Sequence, residues 1–295
     1  MCFPQKDSPS SRSGASCLFN SRMPLRRPFP RPTQPASNRS DLLFAGPGLL
    51  LIFLLGLPLL ALFLRAAGNH FLTDALSSTA LQALRLSLVT SLISVTISVL
   101  IGTPLAYVLG RWNFPGRSAV ELLVDLPVVL PPSVAGLALL IAFGRQGMIG
   151  SLILPLGISL PFTTAAVVIA QMFVSAPLFV RSARVGFAGV DPQLEEAALV
   201  EGANQWQMFR EVMAPLAGRA LISGAMMTWT RALGEFGATI LFAGNLPGIT
   251  QTMPLAIYLG FERNLDVAVV LSVELVLVSV LLLILMKKLD GRQFP

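Results

Sequence analysis

Apolar segments long enough to cross a lipid bilayer recur along the chain and constrain its fold more than any other feature. A transmembrane helix needs roughly 20 mostly apolar residues, and six segments meet this length. They cover residues 42–64, 86–109, 119–143, 163–183, 217–243 and 265–286. Of the 295 residues, 54% are hydrophobic and 12% are charged, which is about half the charged fraction of a soluble domain. The sequence therefore predicts an all-α integral membrane protein with six transmembrane helices.

Lysine and arginine residues are distributed unevenly between the two sides of these predicted spans. Sixteen of the 21 lie before the first span, after the second, between the fourth and the fifth, or after the sixth. The opposite loops carry Arg65, Arg145 and Arg263, whereas Arg85 lies at an interface and Arg231 within a span. Because cytoplasmic loops are enriched in lysine and arginine, both termini are predicted to be cytoplasmic. The net charge of +6 has the same origin and does not indicate a nucleic-acid partner, since no basic stripe is interleaved with aromatic residues.

The amino-terminal segment differs in composition from the apolar remainder of the chain. Residues 1–40 are rich in serine, proline and arginine, so we expect a disordered basic cytoplasmic tail there. Residues 41–290 form the predicted membrane domain. Cys2 and Cys17 are the two cysteines and His70 is the sole histidine. Because zinc sites combine several cysteine and histidine ligands, we expect no metal and no cofactor in this chain.

Prolines interrupt the third predicted span. Pro127, Pro131 and Pro132 lie within it, and Ser133 follows directly. A proline inside a helix removes a hydrogen bond and bends the helix, so at membrane depth the freed carbonyl groups must face protein or a water-filled path. Pro131, Pro132 and Ser133 are therefore candidates for lining a translocation path, and a purely structural kink is the alternative.

Two charged residues, Arg231 and Glu235, lie four positions apart within the fifth predicted span. Each charge at the bilayer centre costs roughly 2.5–3.5 kcal/mol on insertion scales, so both should face the bundle interior and pair. One interpretation is a structural salt bridge. The other is that the pair lines or gates an anion path, with Arg231 attracting the anion and Glu235 preventing tight binding, because a path must release what it admits.

One long polar segment, residues 191–216, separates the fourth predicted span from the fifth. Asp191 followed by proline is typical of a helix N-terminus, and Gly202 suits a left-handed turn at a helix C-terminus. Asn204 and Gln207 have the spacing of a capping box. We therefore expect two short helices joined by a turn, and an amphipathic helix lying on the membrane surface is the alternative.

A second pattern in this segment is EAA followed, at fixed spacing, by a glycine and a final proline. Its residues are Glu196, Ala197, Ala198, Gly202, Val212, Ala214 and Pro215. The pattern resembles the EAA loop of ABC-importer permeases, which usually have isoleucine and leucine where Val212 and Ala214 stand. LVDLPVVLPPSVAGLALL and TRALGEFGATILFAGN are similar to the molybdate-type branch of these permeases, whose relatives are the tungstate and sulfate permeases. The resemblance covers roughly residues 80–290.

The resemblance implies a fold, a set of partners and a role for the loop. It implies a six-helix permease domain over residues 41–290, with a cytoplasmic coupling helix between spans 4 and 5 that docks on an ATPase subunit. It also implies a homodimer, two cytoplasmic ABC ATPase subunits that hold ATP and Mg, and an extracytoplasmic oxyanion-binding protein. The residues that would carry ATPase coupling are Glu196, Ala197, Ala198, Gly202 and Pro215.

The sequence contains no phosphate-binding loop of an ATPase. Such a loop needs glycine-rich backbone followed by lysine and serine or threonine, and none of Lys6, Lys287 and Lys288 follows one. We therefore expect no catalytic residue here and ATP hydrolysis on a separate subunit. The cargo implied by the resemblance is an oxyanion, molybdate first, with sulfate, thiosulfate or tungstate as alternatives. The implied location is the bacterial or archaeal plasma membrane.

Two other functions stay open. An ion-coupled secondary transporter would use Arg231, Glu235 and Glu274 as its charged residues, but the sequence shows no inverted pair of broken helices typical of such proteins. A membrane scaffold without transport would not need the spacing of the EAA pattern. The sequence therefore favours a permease subunit.

Overall fold

The computed structural model describes residues 39–67 and 71–292, and all regular elements within these ranges are helices. This confirms the all-α fold class. The predicted tail lies outside the described residues except for its last two positions, and so do Cys2, Cys17 and His70. A 3₁₀ turn covers Leu154–Leu156, and a π-helical turn covers Met208–Met213. In chain order the α-helices are α1 (Arg39–Ala66), α2 (Phe71–Ala75), α3 (Ser78–Arg111), α4 (Arg117–Val129), α5 (Pro132–Phe143), α6 (Gly150–Ile153), α7 (Thr164–Ala188), α8 (Pro192–Val200), α9 (Gln205–Gln207), α10 (Ala214–Leu216), α11 (Gly218–Leu233), α12 (Gly237–Phe242), α13 (Met253–Arg263) and α14 (Leu265–Arg292).

Four of the described helices are long and apolar enough to cross a membrane. They are Gly46–Ala66 within α1, the whole of α3 and α7, and Leu265–Leu285 within α14. Helices α4 and α5 pass the same test as a pair bent by 116°, which gives five candidate spans if the pair is counted as one. The first, second, fourth and sixth predicted spans are thus continuous helices. The count of six and the cytoplasmic position of both termini stay predictions.

The third predicted span, 119–143, is divided where its prolines predict an interruption. Leu130 and Pro131 leave the helical conformation, with ψ of 136° and 134°, before α5 starts at Pro132. A residue that precedes proline disfavours the helical region, and this applies to both. Pro132 occupies the start of α5, where the missing amide breaks no hydrogen bond. Pro127, by contrast, lies inside α4.

The fifth predicted span, 217–243, is also divided in the structure. Residues 234–236 separate α11 from α12. The Ala238 amide, in the first turn of α12, donates to the Glu235 carboxylate at 2.9 Å, so this side chain satisfies an amide at the start of a new helix. An apolar window does not reveal such a break, because average composition carries no information about a single bond between a side chain and the backbone.

Helices α3, α7 and α11 pack against one another. The Trp229 indole N–H of α11 donates to the Ser91 hydroxyl of α3 at 3.0 Å. Small and hydroxyl-bearing residues let helices in a membrane approach closely and form hydrogen bonds, which explains why a polar stripe is buried here. Five hydroxyl side chains of α3 are at most 2% exposed: Ser87, Thr90, Ser91, Ser94 and Ser98.

Helices α5 and α12 lie side by side in backbone contact and run in the same direction. A Cβ atom added to Gly136 would lie 2.8 Å from the carbonyl oxygen of Ala238, and one added to Gly237 would lie 2.6 Å from Pro132 Cβ. Real side chains do not tolerate such distances in a close-packed interior, so glycine permits the contact at both positions. The starts of the two helices, and therefore the two breaks, lie next to one another.

Candidate functional site

In the polar segment between α7 and α11, the structure forms two short helices, α8 and α9, as the sequence predicts. Asp191 accepts a hydrogen bond from the Gln193 amide at 2.9 Å, and α8 follows. Gly202 ends the turn with a φ of 90°, a left-handed conformation that glycine adopts without steric cost. The Ala203 amide then donates to the Ala198 carbonyl at 3.0 Å, which closes the helix C-terminus. The predicted N-cap and the left-handed turn are both confirmed.

The second half of this loop begins with the predicted capping box. The Asn204 side chain accepts from the Gln207 amide, and the Gln207 side chain accepts from the Asn204 amide, each at 2.9 Å. These reciprocal bonds satisfy two amides at the helix start. The chain continues into the π-helical turn, whose first and last residues, Met208 and Met213, are buried. The second half of the loop is therefore anchored in the core.

An aromatic cluster attaches this second half to two membrane-spanning helices. The ring of Phe209 lies 5.4 Å from that of Tyr107 in α3 and 6.0 Å from that of Phe187 in α7, measured between centroids. Tyr107 and Phe187 lie 5.5 Å apart, edge to face. Such pairs stabilise by about 0.5–1.5 kcal/mol beyond their burial. The sequence did not reveal this cluster, because its members lie on three elements that are distant along the chain.

Helix α8 lies at the surface of the single chain, since none of its residues is buried. Glu196 and Ala197 are exposed, whereas Ala198 is half-buried and packs against the core cluster that includes residues of α3 and α7. Large apolar side chains left exposed on this polar loop are candidates for a protein contact. We call the exposed side chains of α8, together with Trp206, the docking surface. Its large apolar side chains are 47% to 88% exposed: Leu194, Leu199, Val200 and Trp206.

At the break between α11 and α12, Arg231 and Glu235 form the ion pair that the sequence predicts. Arg231 Nη1 donates to Glu235 Oε2 at 2.6 Å, and Glu235 Oε1 accepts from the Ala238 amide. The Glu235 side chain is 1% exposed and the Arg231 side chain is 34% exposed. The carboxylate is thus fixed by two donors. Part of the guanidinium stays accessible, with its charge balanced by the buried carboxylate.

The proline candidates lie beside this break. Pro131, Pro132 and Ser133 are exposed in the single chain, and Pro132 contacts the position of Gly237 at the start of α12. The structure therefore brings the two groups of path candidates, which are far apart in the sequence, to neighbouring positions. It does not bring either group to α8.

The described part of the chain contains no group of three or more histidine, cysteine, aspartate or glutamate side chains that could hold a metal ion. Cys2, Cys17 and His70 lie outside that part. The expectation that the whole chain binds no metal and no cofactor therefore stays a prediction.

Comparison with known proteins assigns this chain to a family. Residues 102–294 match the family described as binding-protein-dependent transport system inner membrane component. The probable transport system permease protein NifC of Clostridium pasteurianum is 37% identical over 231 residues, which cover 78% of this chain and 81% of NifC. The molybdenum transport system permease protein ModB of Mycobacterium tuberculosis is 40% identical over 238 residues, 81% of this chain and 90% of ModB. The probable sulfate transport system permease protein cysT of Chlorokybus atmophyticus is 37% identical over 216 residues, 72% of this chain and 76% of cysT.

Solved structures share the fold. A chain from the crystal structure of a bacterial ABC transporter involved in the import of the acidic polysaccharide alginate superposes with a TM-score of 0.72 at 18% identity. The match covers 87% of this chain and 97% of that chain. At this identity the likeness concerns the fold alone, whereas the family match spans most of the present chain. The chain therefore belongs to the family of inner membrane components of binding-protein-dependent transport systems, the membrane-spanning permease subunits of ABC importers.

Proposed function

We propose that this chain is the permease subunit of an ATP-driven importer that moves an oxyanion, molybdate first, into a bacterial or archaeal cell. The support for molybdate is the 40% identity to a permease named for molybdenum transport. Sulfate, thiosulfate and tungstate are the alternatives, because a relative of similar identity is named for sulfate and these anions share size and charge. The identity of the anion is the more specific part of the proposal, and the transporter class does not depend on it.

The proposed assembly contains two copies of this chain, two cytoplasmic ABC ATPase subunits that hold ATP and Mg, and an extracytoplasmic oxyanion-binding protein. In each copy, six spans would be formed by α1, α3, α4 with α5, α7, α11 with α12, and α14, within residues 41–290. Both termini would then lie in the cytoplasm, together with the tail over residues 1–40 and the loop over residues 191–216. The distribution of lysine and arginine supports this orientation.

The observation that carries the proposal is the construction of the loop between α7 and α11. Its first half, α8, lies at the surface with exposed apolar side chains, while its second half is fixed to α3 and α7 by an aromatic cluster. An element of this kind can bind a soluble partner and transmit its movement to the spans. The residues to which we assign ATPase coupling are Glu196, Ala197, Ala198, Gly202 and Pro215.

The path that we propose passes the neighbouring breaks at α5 and α12. Arg231 would attract the oxyanion, and Glu235 would keep the attraction weak enough for release. The partial exposure of Arg231 beside the buried Glu235 supports this division of roles. Pro131, Pro132 and Ser133 would line the same region, because the carbonyl groups freed at a proline break can face a water-filled path.

The cargo is tested by reconstituting the chain with its ATPase and binding protein in liposomes and measuring ATP hydrolysis with each oxyanion. We expect stimulation by molybdate or tungstate and not by sulfate. Stimulation by sulfate alone would keep the transporter class and overturn the cargo. If an assembled complex responded to no oxyanion, the proposed function would be contradicted.

A further inference from the structure

The last residue of α3, Arg111, contacts the start of α8 at two points. Arg111 Nη1 donates to the Val190 carbonyl oxygen at 3.0 Å, and Arg111 Nη2 donates to the Glu195 carboxylate. Val190 directly precedes Asp191, the N-cap of α8, and Glu195 lies in the first turn of that helix. A guanidinium group presents its donors in a rigid planar fork. The two bonds therefore fix both the position and the direction of α8 relative to α3.

This contact is largely shielded from solvent. The Arg111 side chain is 11% exposed and the Glu195 side chain is 23% exposed, whereas the adjacent Glu196 is exposed. The two neighbouring glutamates thus differ in direction, one toward the spans and the other toward solvent. Ion pairs on an open surface are screened and contribute little. A shielded pair differs, because losing one partner leaves a charge without compensation.

The end of α3 is itself held against α7. A Cβ atom added to Gly110 would lie 3.0 Å from the Arg184 carbonyl oxygen and 3.1 Å from Phe187 Cβ, so the two backbones are in close contact. One turn earlier, Tyr107 belongs to the aromatic cluster that also contains Phe187. A displacement of α8 that reaches Arg111 would therefore move α3 and α7 together.

Arg111 and the aromatic cluster hold different halves of the loop over residues 191–216, which we call the coupling loop. The cluster holds the segment after Gly202, and Arg111 holds the start of α8 before it. Without Arg111, the start of α8 would keep Val190 in the core and its short chain connection to α7, but it would lose its side-chain contacts to α3. Helix α8 could then tilt relative to α3 when a partner pushes on it. The loss would therefore affect transmission of movement more than folding.

We infer that Arg111 is a positioning residue, which clamps the start of the coupling helix to α3 through Val190 and Glu195 so that movement of α8 reaches the spans. This inference rests on the proposed function and deepens it by naming the link between loop and spans. Neither Arg111 nor Glu195 belongs to the residues assigned to coupling by the EAA pattern. Their role is to hold α8, whereas Glu196 remains available to a partner.

The test uses Arg111→Ala, Glu195→Ala and the double variant, each in the full complex with ATPase and binding protein in liposomes. The readouts are ATPase co-purification and oxyanion uptake per ATP hydrolysed. We expect the ATPase to co-purify with each variant and the uptake per ATP to fall about five-fold, within the range of coupling effects. The double variant should fall no further than either single variant, because contacting residues that act as a unit are not additive.

Arg117→Ala is the matched control. Arg117 bonds to Glu121 on its own helix at 2.9 Å and to the Asn113 side chain at 2.6 Å, and neither partner belongs to α8. Glu121 would keep its second partner, Arg184, at 2.8 Å. This variant should retain the wild-type uptake per ATP. Arg111→Lys keeps the charge but cannot reproduce the fork, and it should give an intermediate loss.

Three results would contradict the positioning role proposed for Arg111. They are an unchanged uptake per ATP in Arg111→Ala, losses that add in the double variant, or loss of ATPase co-purification in Arg111→Lys as well as Arg111→Ala. The last result would make Arg111 part of folding or docking. A failure of the proposed function is distinguishable, because the wild-type complex would then show no hydrolysis stimulated by the loaded binding protein.

Discussion

Glu235 is almost completely buried and its carboxylate accepts from two donors, so removing Arg231 alone would cost stability whichever role the pair has in transport. The Arg231 guanidinium and the Ala238 amide hold its two oxygens. Truncating Arg231 alone would leave a buried carboxylate without its ion partner, at a cost of about 3–5 kcal/mol. Arg231→Ala would therefore lose stability and transport together and could not separate a salt bridge from a path residue.

The paired variant Arg231→Met with Glu235→Gln separates the two roles. Replacing both members of a buried ion pair by neutral groups is often close to neutral for stability, and glutamine can still accept from the Ala238 amide. We expect wild-type assembly and oxyanion uptake reduced about tenfold, because the attraction for an anion is lost. Assembly is measured by co-purification and uptake in liposomes. Normal uptake would leave Arg231 and Glu235 with a structural role only.

Gly202 offers a second test on a single residue. Its φ of 90° strains any side chain, but a Cβ atom there meets nothing within 4 Å. Gly202→Ala therefore tests the strain alone, at about 1–2 kcal/mol, and Gly202→Asp also adds a charge close to the docking surface. We expect membrane insertion of both variants, uptake largely retained in Gly202→Ala, and ATP hydrolysis without uptake in Gly202→Asp. Equal uptake by the two variants would mean that Gly202 takes no part in ATPase coupling.

At the level of helices, the close contact between α5 and α12 holds the two breaks next to one another. A methyl group on Gly136 would have to displace the backbone of Ala238, and such overpacking costs about 1–3 kcal/mol. We expect Gly136→Ala to lower both the Tm of the purified complex and its uptake. Gly56→Ala is the control, since a Cβ atom there meets nothing within 4 Å. Identical behaviour of the two variants would contradict a tight α5–α12 contact.

Local signals were predictable from the sequence, and contacts between distant segments were not. The Asp191 cap, the Gly202 turn and the interruption at Pro131 each depend on a few adjacent residues, and the structure has all three. The separation of α11 from α12 was missed, because it lies within an apolar segment and the bond from the Ala238 amide to Glu235 leaves no mark on average composition. The clamp at Arg111 was missed too, because its partner Glu195 is 84 positions away. Such contacts need the tertiary structure, which periodicity does not supply.

At the scale of the whole described bundle, the coupling loop and the helix breaks are connected through packed elements. Arg181 and Arg184 of α7 pair with Asp125 and Glu121 of α4 at 2.5 Å and 2.8 Å. Helix α4 leads directly into the break before α5, and α7 packs against α3. Arg111, the last residue of α3, bonds to the start of α8. These contacts give a continuous connection from α8 to the break before α5, and transport assays test whether movement passes along it.

The most direct test is uptake of labelled molybdate into liposomes that hold the complete complex and ATP, with the loaded binding protein added. We expect uptake that requires ATP and the binding protein, stops when the ATPase active site is mutated, and continues in the presence of an uncoupler that collapses ion gradients. Uptake that the uncoupler abolishes and the ATPase mutation leaves unchanged would contradict the account, and it would show an ion-coupled transporter instead.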